Sequence, residues 1–107
     1  MAWHDVTETS AVAEGQVLGV TIGEEMIALY RIEGVFYATS NICTHAFALM
    51  SDGYLEDDCI ECPVHQALFH VPTGEARSRI AKRPLKTYPV KVENDRLMVE
   101  ITETAKV

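Results

Sequence analysis

Two short runs near the middle of the chain each place a cysteine close to a histidine, and they constrain the fold more than any other feature. The runs are Cys43-Thr44-His45 and Cys62-Pro63-Val64-His65, and sixteen residues separate them. Thiolate and imidazole side chains are common metal ligands. If all four bind one metal group, the chain must hold each run in a loop and bring the two loop tips together.

The rest of the chain has the pattern of a β protein. Short β-type segments recur with turn residues between them, and no stretch keeps a helical period for three turns. We expect a three-stranded meander, a pair of short strands around the second Cys-His run, a closing hairpin and one brief helical turn. The expected bounds are 17–22, 26–32 and 35–40 for the meander, 59–61 and 67–71 for the pair, 85–92 and 97–101 for the hairpin with its turn at 93–96, and 9–14 for the helical turn. The predicted fold class is all-β.

Length and composition predict one globular domain. The 107 residues can bury a single modest core, and 48% of them are apolar and 23% charged. We expect one domain over residues 1–107, with a metal-binding subdomain at about 41–74 inserted in a β-rich base. No apolar run approaches the length that crosses a membrane, and the first residues lack the pattern of a signal peptide. Three cysteines are an odd number, which favours metal binding or free thiols in a reducing compartment. The expected location is the cytoplasm.

The charge distribution is uneven along the chain. A net charge of −7 disfavours nucleic-acid binding. Residues 1–76 hold one basic residue against twelve acidic ones, and five basic residues then follow within residues 77–86. This basic run consists of Arg77, Arg79, Lys82, Arg83 and Lys86. It is either a solvated polar loop or part of a docking surface for an acidic partner.

The set of two cysteines and two histidines fits more than one metal group. Structural zinc sites use it, and so does the Rieske [2Fe-2S] centre, in which two histidines replace two cysteines on one iron. Structural zinc usually takes its thiolates from one Cys-x2-4-Cys knuckle, whereas each knuckle here is mixed, which favours the cluster. Cys59-Ile60-Glu61-Cys62 is a competing knuckle that could bind zinc with His65 or His70, or act as a redox dithiol.

Beyond the ligand runs, the chain resembles the Rieske-type [2Fe-2S] ferredoxins of multicomponent bacterial aromatic-ring-hydroxylating dioxygenases, and the naphthalene-type carriers most of all. The resemblance covers nearly the whole chain. Four further segments carry it: Phe36-Tyr37-Ala38-Thr39, Ser51-Asp52-Gly53-Tyr54-Leu55-Glu56, Thr73-Gly74-Glu75-Ala76 and Leu85-Lys86-Thr87-Tyr88-Pro89-Val90.

The resemblance implies a fold, a cofactor and a function. The fold would be three small antiparallel sheets that hold the cluster at the tip of two loops. Cys43 and Cys62 would bind the inner iron of one Rieske-type [2Fe-2S] cluster, and His45 and His65 the outer iron. The protein would carry single electrons from a flavin-containing, NAD(P)H-dependent reductase to a terminal oxygenase and would not itself be an enzyme. The alternatives are a Rieske-like small subunit of a nitrite reductase and a structural zinc module.

Several residues depart from the patterns of relatives. High-potential relatives carry a serine and a tyrosine just after the second histidine and an extra cysteine in each loop. This chain has Ala67 and Phe69 in place of the hydroxyls and Ala48 and Val64 in place of the cysteines. Fewer hydrogen bonds would then stabilise the reduced cluster, which predicts a low potential.

Gln66 and Ala46 stand where the family usually has glycine, each directly after a ligand histidine. We expect their added bulk to shield the cluster, and the alternative is a change in partner choice. The remaining candidates are expected to be structural. We expect Cys59 to be a small buried residue, and His70 to be a surface or hydrogen-bonding histidine. We expect four aromatic side chains to pack in the core or on the sheets, namely Trp3, Tyr30, Phe36 and Tyr37.

Overall fold

The computed structural model describes residues 2–44, 48–64, 66–78 and 83–101. Within these ranges, ten strands form three antiparallel sheets. The strands are β1 (Ala2–Glu8), β2 (Val17–Ile22), β3 (Glu25–Ile32), β4 (Val35–Ser40), β5 (Tyr54–Glu56), β6 (Cys59–Glu61), β7 (Leu68–His70), β8 (Thr87–Tyr88), β9 (Val90–Glu93) and β10 (Arg96–Ile101). The all-β class and the three small sheets are confirmed.

The predicted meander is the largest sheet, with strand order β2-β3-β4-β8. Its two turns use glycines with left-handed backbone angles, at a φ of 59° for Gly23 and 77° for Gly34. Glycine adopts this region without the steric cost that other residues meet, so tight reversals form at these points. The strand bounds agree with the prediction except that β3 begins at Glu25, one residue early.

The predicted closing strand at 85–92 was wrong, because this segment is divided between two sheets. Tyr88 in β8 pairs with Ala38 of the meander, whereas β9 pairs with β10. Pro89 separates the two strands; it has no N–H to donate, but its carbonyl accepts a hydrogen bond from the Glu100 N–H at 3.0 Å. The turn that follows β9 is only Asn94-Asp95, not 93–96, and both residues have positive φ.

Strand β1 was not predicted. It joins β10 over most of its length, with Ala2 opposite Ile101, and a register shift between Asp5 and Thr7 interrupts its alternation. Trp3 on this strand is 38% exposed rather than packed in the core, with the Lys91 ammonium 4.5 Å from its ring centre. The expected helical turn at 9–14 is a 3-10 helix over Thr9–Ala11.

Two separate clusters of buried side chains form the core. One packs the meander against the sheet of β1, β10 and β9, and it centres on residues such as Ile27, Leu97 and Val99. The other lies under the small sheet of β5, β6 and β7 and contains both Cys43 and Cys62. In the described ranges, no helix has the length and apolar character needed to cross a membrane.

Candidate metal centre

The first ligand run begins just after β4, and the backbone closes it into a short loop. Ile42 forms an isolated antiparallel bridge with Leu49, and the Cys43 N–H donates to the Ala48 carbonyl at 3.0 Å. Asn41, only 3% exposed, holds the base of this loop. Its side-chain oxygen accepts from the Ser51 N–H at 2.8 Å, and its amide donates to the Ser51 hydroxyl at 3.0 Å.

The second ligand run joins β6 to β7 and is closed in the same way. The Cys62 N–H donates to the Ala67 carbonyl at 2.7 Å. In both loops the cysteine N–H therefore donates to an alanine five residues further along the chain. The shared closure places each cysteine at the base of its loop.

The two loops bring Cys43 and Cys62 into contact inside the core. Cys43 is 4% exposed and Cys62 is fully buried. Burial raises the pKa of the Cys62 thiol above its ordinary value; the Val64 N–H, which donates to this sulfur, lowers it, and the hydrogen-bonded thiol of Cys43 raises it further. Two buried thiolates this close together need a cation between them, and a bound metal ion would supply that charge. The pair thus suits a metal held by two thiolates.

The two histidines of the predicted ligand set lie outside the described residues. His45 and His65 each follow a cysteine that the structure does describe, by two and three positions. The structure describes the two cysteines of the predicted set, and the assignment of all four ligands stays a prediction.

Gln66 has the backbone angle that explains the family's usual glycine at this position. Its φ is 57°, in the left-handed region that a residue with a Cβ adopts at a cost. Gln66 directly precedes Ala67, whose carbonyl accepts the hydrogen bond that closes the second loop. The glutamine in place of the family's usual glycine therefore introduces local backbone strain in this loop.

Four apolar side chains occupy the positions where high-potential relatives carry hydroxyls or extra cysteines, and all four contact the core cluster that holds the two thiols. Ala67 and Phe69 are fully buried in the same cluster as the two cysteines, and Ala48 and Val64 pack against it. All four side chains are apolar, so none of them can donate a hydrogen bond to a sulfur. The low potential predicted from the sequence therefore stays the expectation for this environment.

A third segment reaches the first loop, and sequence reasoning missed it. The Thr44 hydroxyl donates to the Arg83 carbonyl at 2.9 Å, and an Arg83 Nη2 donates back to the Thr44 carbonyl at 3.1 Å. The residues are 39 positions apart. The only available signal was that Arg83 belongs to the basic run.

Other described members of the basic run are engaged by acidic side chains. Arg77 lies 2.7 Å from a Glu75 carboxylate oxygen, and Lys86 lies 3.7 Å from that of Glu25. Arg79 and Lys82 lie outside the described residues. The docking role of the run stays a prediction.

The competing knuckle residue Cys59 was wrongly expected to be buried. It lies on the outer face of the small sheet, half-buried, directly opposite His70. Its thiol donates to the Asp58 carboxylate at 3.6 Å, and burial is the largest of the effects that raise its pKa.

His70 is the hydrogen-bonding histidine that the sequence predicted. Its Nε2 lies 2.9 Å from an Asp58 oxygen and its Nδ1 lies 2.8 Å from the Thr73 hydroxyl, so both ring nitrogens have protein partners. Among the described residues, no group of three or more potential ligand side chains is placed to hold a metal. The knuckle of Cys59 and Cys62 is not assembled with His70.

Comparison with known proteins identifies the metal group. The model of the Rieske [2Fe-2S] domain matches residues 2–89. The chain belongs to the Rieske [2Fe-2S] family. The family carries a Rieske-type [2Fe-2S] cluster. The paired thiols are therefore interpreted as belonging to a cluster site and not to a zinc site.

Relatives within the Rieske family confirm the resemblance to dioxygenase ferredoxins. The chain is 50% identical over 100 residues to the ferredoxin component of the naphthalene 1,2-dioxygenase system of Pseudomonas putida, covering 94% of this chain and 96% of the relative. A ferredoxin of Sphingomonas yanoikuyae B1 matches with a TM-score of 0.90 and 30% identity, over 94% of this chain and 100% of that one. A chain in the solved complex of reduced oxygenase and oxidized ferredoxin in carbazole 1,9a-dioxygenase matches with a TM-score of 0.88 and 34% identity, over 97% of both chains.

Proposed function

We propose that this Rieske protein is the ferredoxin component of an aromatic-ring-hydroxylating dioxygenase system. It passes single electrons from an NAD(P)H-dependent flavin reductase to the terminal oxygenase. The observation that carries the proposal is the pair of buried thiols of Cys43 and Cys62, brought together by two loops with the same closure. The near full-length identity to dioxygenase ferredoxins supports it.

We propose that Cys43, His45, Cys62 and His65 hold one [2Fe-2S] cluster. The two cysteines would bind the inner iron, and the two histidines at the loop tips the outer iron. When bound, the cluster supplies a centre that gains and loses one electron at a time, at a potential raised by the histidine ligands. The proposed unit is a single Rieske domain over residues 1–107, in which the subdomain at about 41–74 carries the cluster.

The protein's own residues have three tasks in this function. The apolar cluster around the cysteines excludes water from the inner side of the site. The Val64 N–H donates to the Cys62 sulfur and stabilises negative charge there. The two loop closures hold the cysteines at fixed positions, which keeps structural change between redox states small. The tips remain the natural place for electrons to leave toward a docked protein.

The proposed partners are proteins, and the chemistry on the substrate occurs elsewhere. The carbazole dioxygenase complex supports docking to the terminal oxygenase, because one of its chains shares this fold over almost its full length. The reductase is proposed from the role of a carrier, which must be reduced before each transfer. We infer that the protein is an electron carrier and not an enzyme, binds neither nucleic acid nor membrane, and works in the cytoplasm, where reduced nicotinamide is available.

Reconstitution tests the proposed function. The purified protein should contain two irons and two acid-labile sulfides per chain and give a Rieske electron paramagnetic resonance spectrum when reduced. Mixed with a naphthalene-type reductase, NADH and oxygenase, it should support product formation that stops when it is omitted. A loaded protein that the reductase reduces but the oxygenase does not reoxidise would contradict the proposal and favour the nitrite reductase subunit instead. Zinc in place of iron would exclude both.

A further inference from the structure

Arg83 and Thr44 form a closed pair of hydrogen bonds between two distant segments. Each residue donates from its side chain and accepts with its backbone carbonyl, at 2.9 Å from the Thr44 hydroxyl and at 3.1 Å from the guanidinium. Such a reciprocal pair fixes both distance and orientation, because either bond alone would leave the loop free to rotate. Thr44 lies between Cys43 and His45 in sequence, so the pair fixes the first ligand loop directly beside Cys43.

The Arg83 end of this link is anchored in the core. Two positions further on, Leu85 is 2% exposed and belongs to the cluster that contains the cysteines. Its N–H donates to the Gly74 carbonyl at 2.8 Å. Gly74 has a φ of 78°, and a Cβ there would lie 2.2 Å from the Leu85 carbonyl oxygen, so only glycine permits this approach. Between Arg83 and Leu85, Pro84 restricts the backbone.

Arginine suits this position for two reasons. The planar guanidinium of arginine offers several donors in fixed directions, and arginine carries a positive charge at physiological pH. The neighbouring basic residues are neutralised differently, since Arg77 pairs with Glu75 and Lys86 with Glu25. In the described structure Arg83 instead donates to the uncharged carbonyl of Thr44. Its positive charge is therefore directed at the ligand loop.

We propose that Arg83 is a positioning residue for the cluster and sets part of its potential. It holds the first ligand loop through Thr44 and keeps a permanent positive charge beside that loop, which favours the reduced, more negative state of the bound cluster. The proposal rests on the proposed function, because it assumes that Cys43 and its loop bind the cluster. The two effects are separable, since one needs the hydrogen bonds and the other needs only the charge.

Three substitutions separate charge from position. R83Q removes the positive charge. R83K keeps the charge but lacks the planar guanidinium, and T44V removes only the hydroxyl donor. R77Q is the matched control, because it removes one positive charge from the same stretch without touching the ligand loop. The measurements are the midpoint potential of the isolated protein, its electron paramagnetic resonance spectrum, and the rate at which a chelator removes iron.

If the charge of Arg83 raises the midpoint potential, only R83Q should change that potential. At a fixed potential, we expect its ratio of reduced to oxidised protein to fall about threefold, as for an exposed charge interaction. This equals a shift of about 28 mV for a one-electron couple at 59 mV per tenfold. R83K and R77Q should keep the wild-type midpoint. Equal midpoints in R83Q and R77Q, with full iron and sulfide content in both, would overturn the charge effect.

The positioning effect predicts faster loss of iron. R83K and T44V should each release iron to a chelator several-fold faster than wild type, and the double variant no faster than the faster single one, because both break the same link. T44S should restore the wild-type rate. If R83Q is recovered without cluster, R83K and T44V still test the positioning role. Wild-type rates of iron release in both variants would overturn the proposal. A wild-type protein without two irons and two sulfides would instead refute the proposed function.

Discussion

Tyr30 and Thr39 share a 2.8 Å hydrogen bond between β3 and β4 in the part of the core that holds the cysteines. Both residues are fully buried. The Thr39 hydroxyl donates its single proton to the Ser40 carbonyl at 2.9 Å, so Tyr30 must be the donor to Thr39. Burial raises the pKa of Tyr30 well above its ordinary value, which keeps the phenol in the neutral, donating form.

We predict that T39V lowers the free energy of unfolding by about 1–3 kcal/mol, because it leaves the buried Tyr30 hydroxyl without an acceptor. T39S keeps the hydroxyl and serves as the control. The double variant Y30F/T39V has no Tyr30 hydroxyl to leave unpaired and loses only the Thr39 hydrogen bond to the Ser40 carbonyl, so part of the loss should be recovered. Urea unfolding followed by circular dichroism measures all three. A double variant no more stable than T39V alone would contradict the assigned hydrogen bond.

The ligand assignment predicts a sharp difference among the three cysteines. C43S and C62S should each abolish cluster binding, since both residues lie in the buried contact that the two loops create. C59S should keep full iron and sulfide content, because Cys59 lies on the outer face of the small sheet and donates to Asp58. Iron and sulfide analysis gives the answer. Loss of iron in C59S with retention in C43S would favour the competing knuckle instead.

The apolar surroundings of the thiols predict a low potential. Ala67 and Phe69 are buried beside the cysteines and offer no hydroxyl to the cluster, so we expect a midpoint near −150 mV, about the low end of the Rieske range. A67S and F69Y should each raise the midpoint by adding a donor, and F36Y, in the other core cluster, should not. Spectroelectrochemical titration measures these values. A clearly positive wild-type midpoint would refute the prediction.

The backbone of Gln66 predicts a stabilising substitution at the second loop. Its φ of 57° costs about 1–2 kcal/mol for a residue with a Cβ, whereas glycine adopts this angle freely. Q66G should therefore raise the unfolding midpoint, with a gain reduced by the larger chain entropy of glycine in the unfolded state. Thermal unfolding measures the change, and Q66A, which keeps the Cβ, is the control. A lower midpoint in Q66G than in Q66A would contradict the strain.

How far the sequence predicted the structure depended on the range of each interaction. The meander was predictable because Gly23 and Gly34 define its turns within a few residues. Strand β1 was not, since its pairing partner lies almost a full chain length away, with Ala2 opposite Ile101. The closing strand was misread because its apolar pattern continues through Pro89, although the hydrogen bonds do not.

The candidate site shows the same division. The motif spacing predicted the convergence of Cys43 and Cys62, because two mixed knuckles have few other ways to meet. The link from Thr44 to Arg83 depends on the exact placement of a segment 39 residues away. No local pattern encodes that placement, which arises from the packing of Leu85 against Gly74.

The basic run predicts how the carrier docks. Arg77 and Lys86 pair with carboxylates within the chain and Arg83 donates to Thr44, so the docking test uses the other two members of the run, Arg79 and Lys82. We expect R79E and K82E to slow electron transfer in the reconstituted system several-fold at low salt, with the visible spectrum unchanged, because reversed charge opposes encounter with an acidic partner. Added salt should reduce the difference from wild type as screening increases.

K91E, a charge reversal on β9, is the matched control. Stopped-flow rates for each partner separately show which of them the run faces, and unchanged rates with both would refute the docking role.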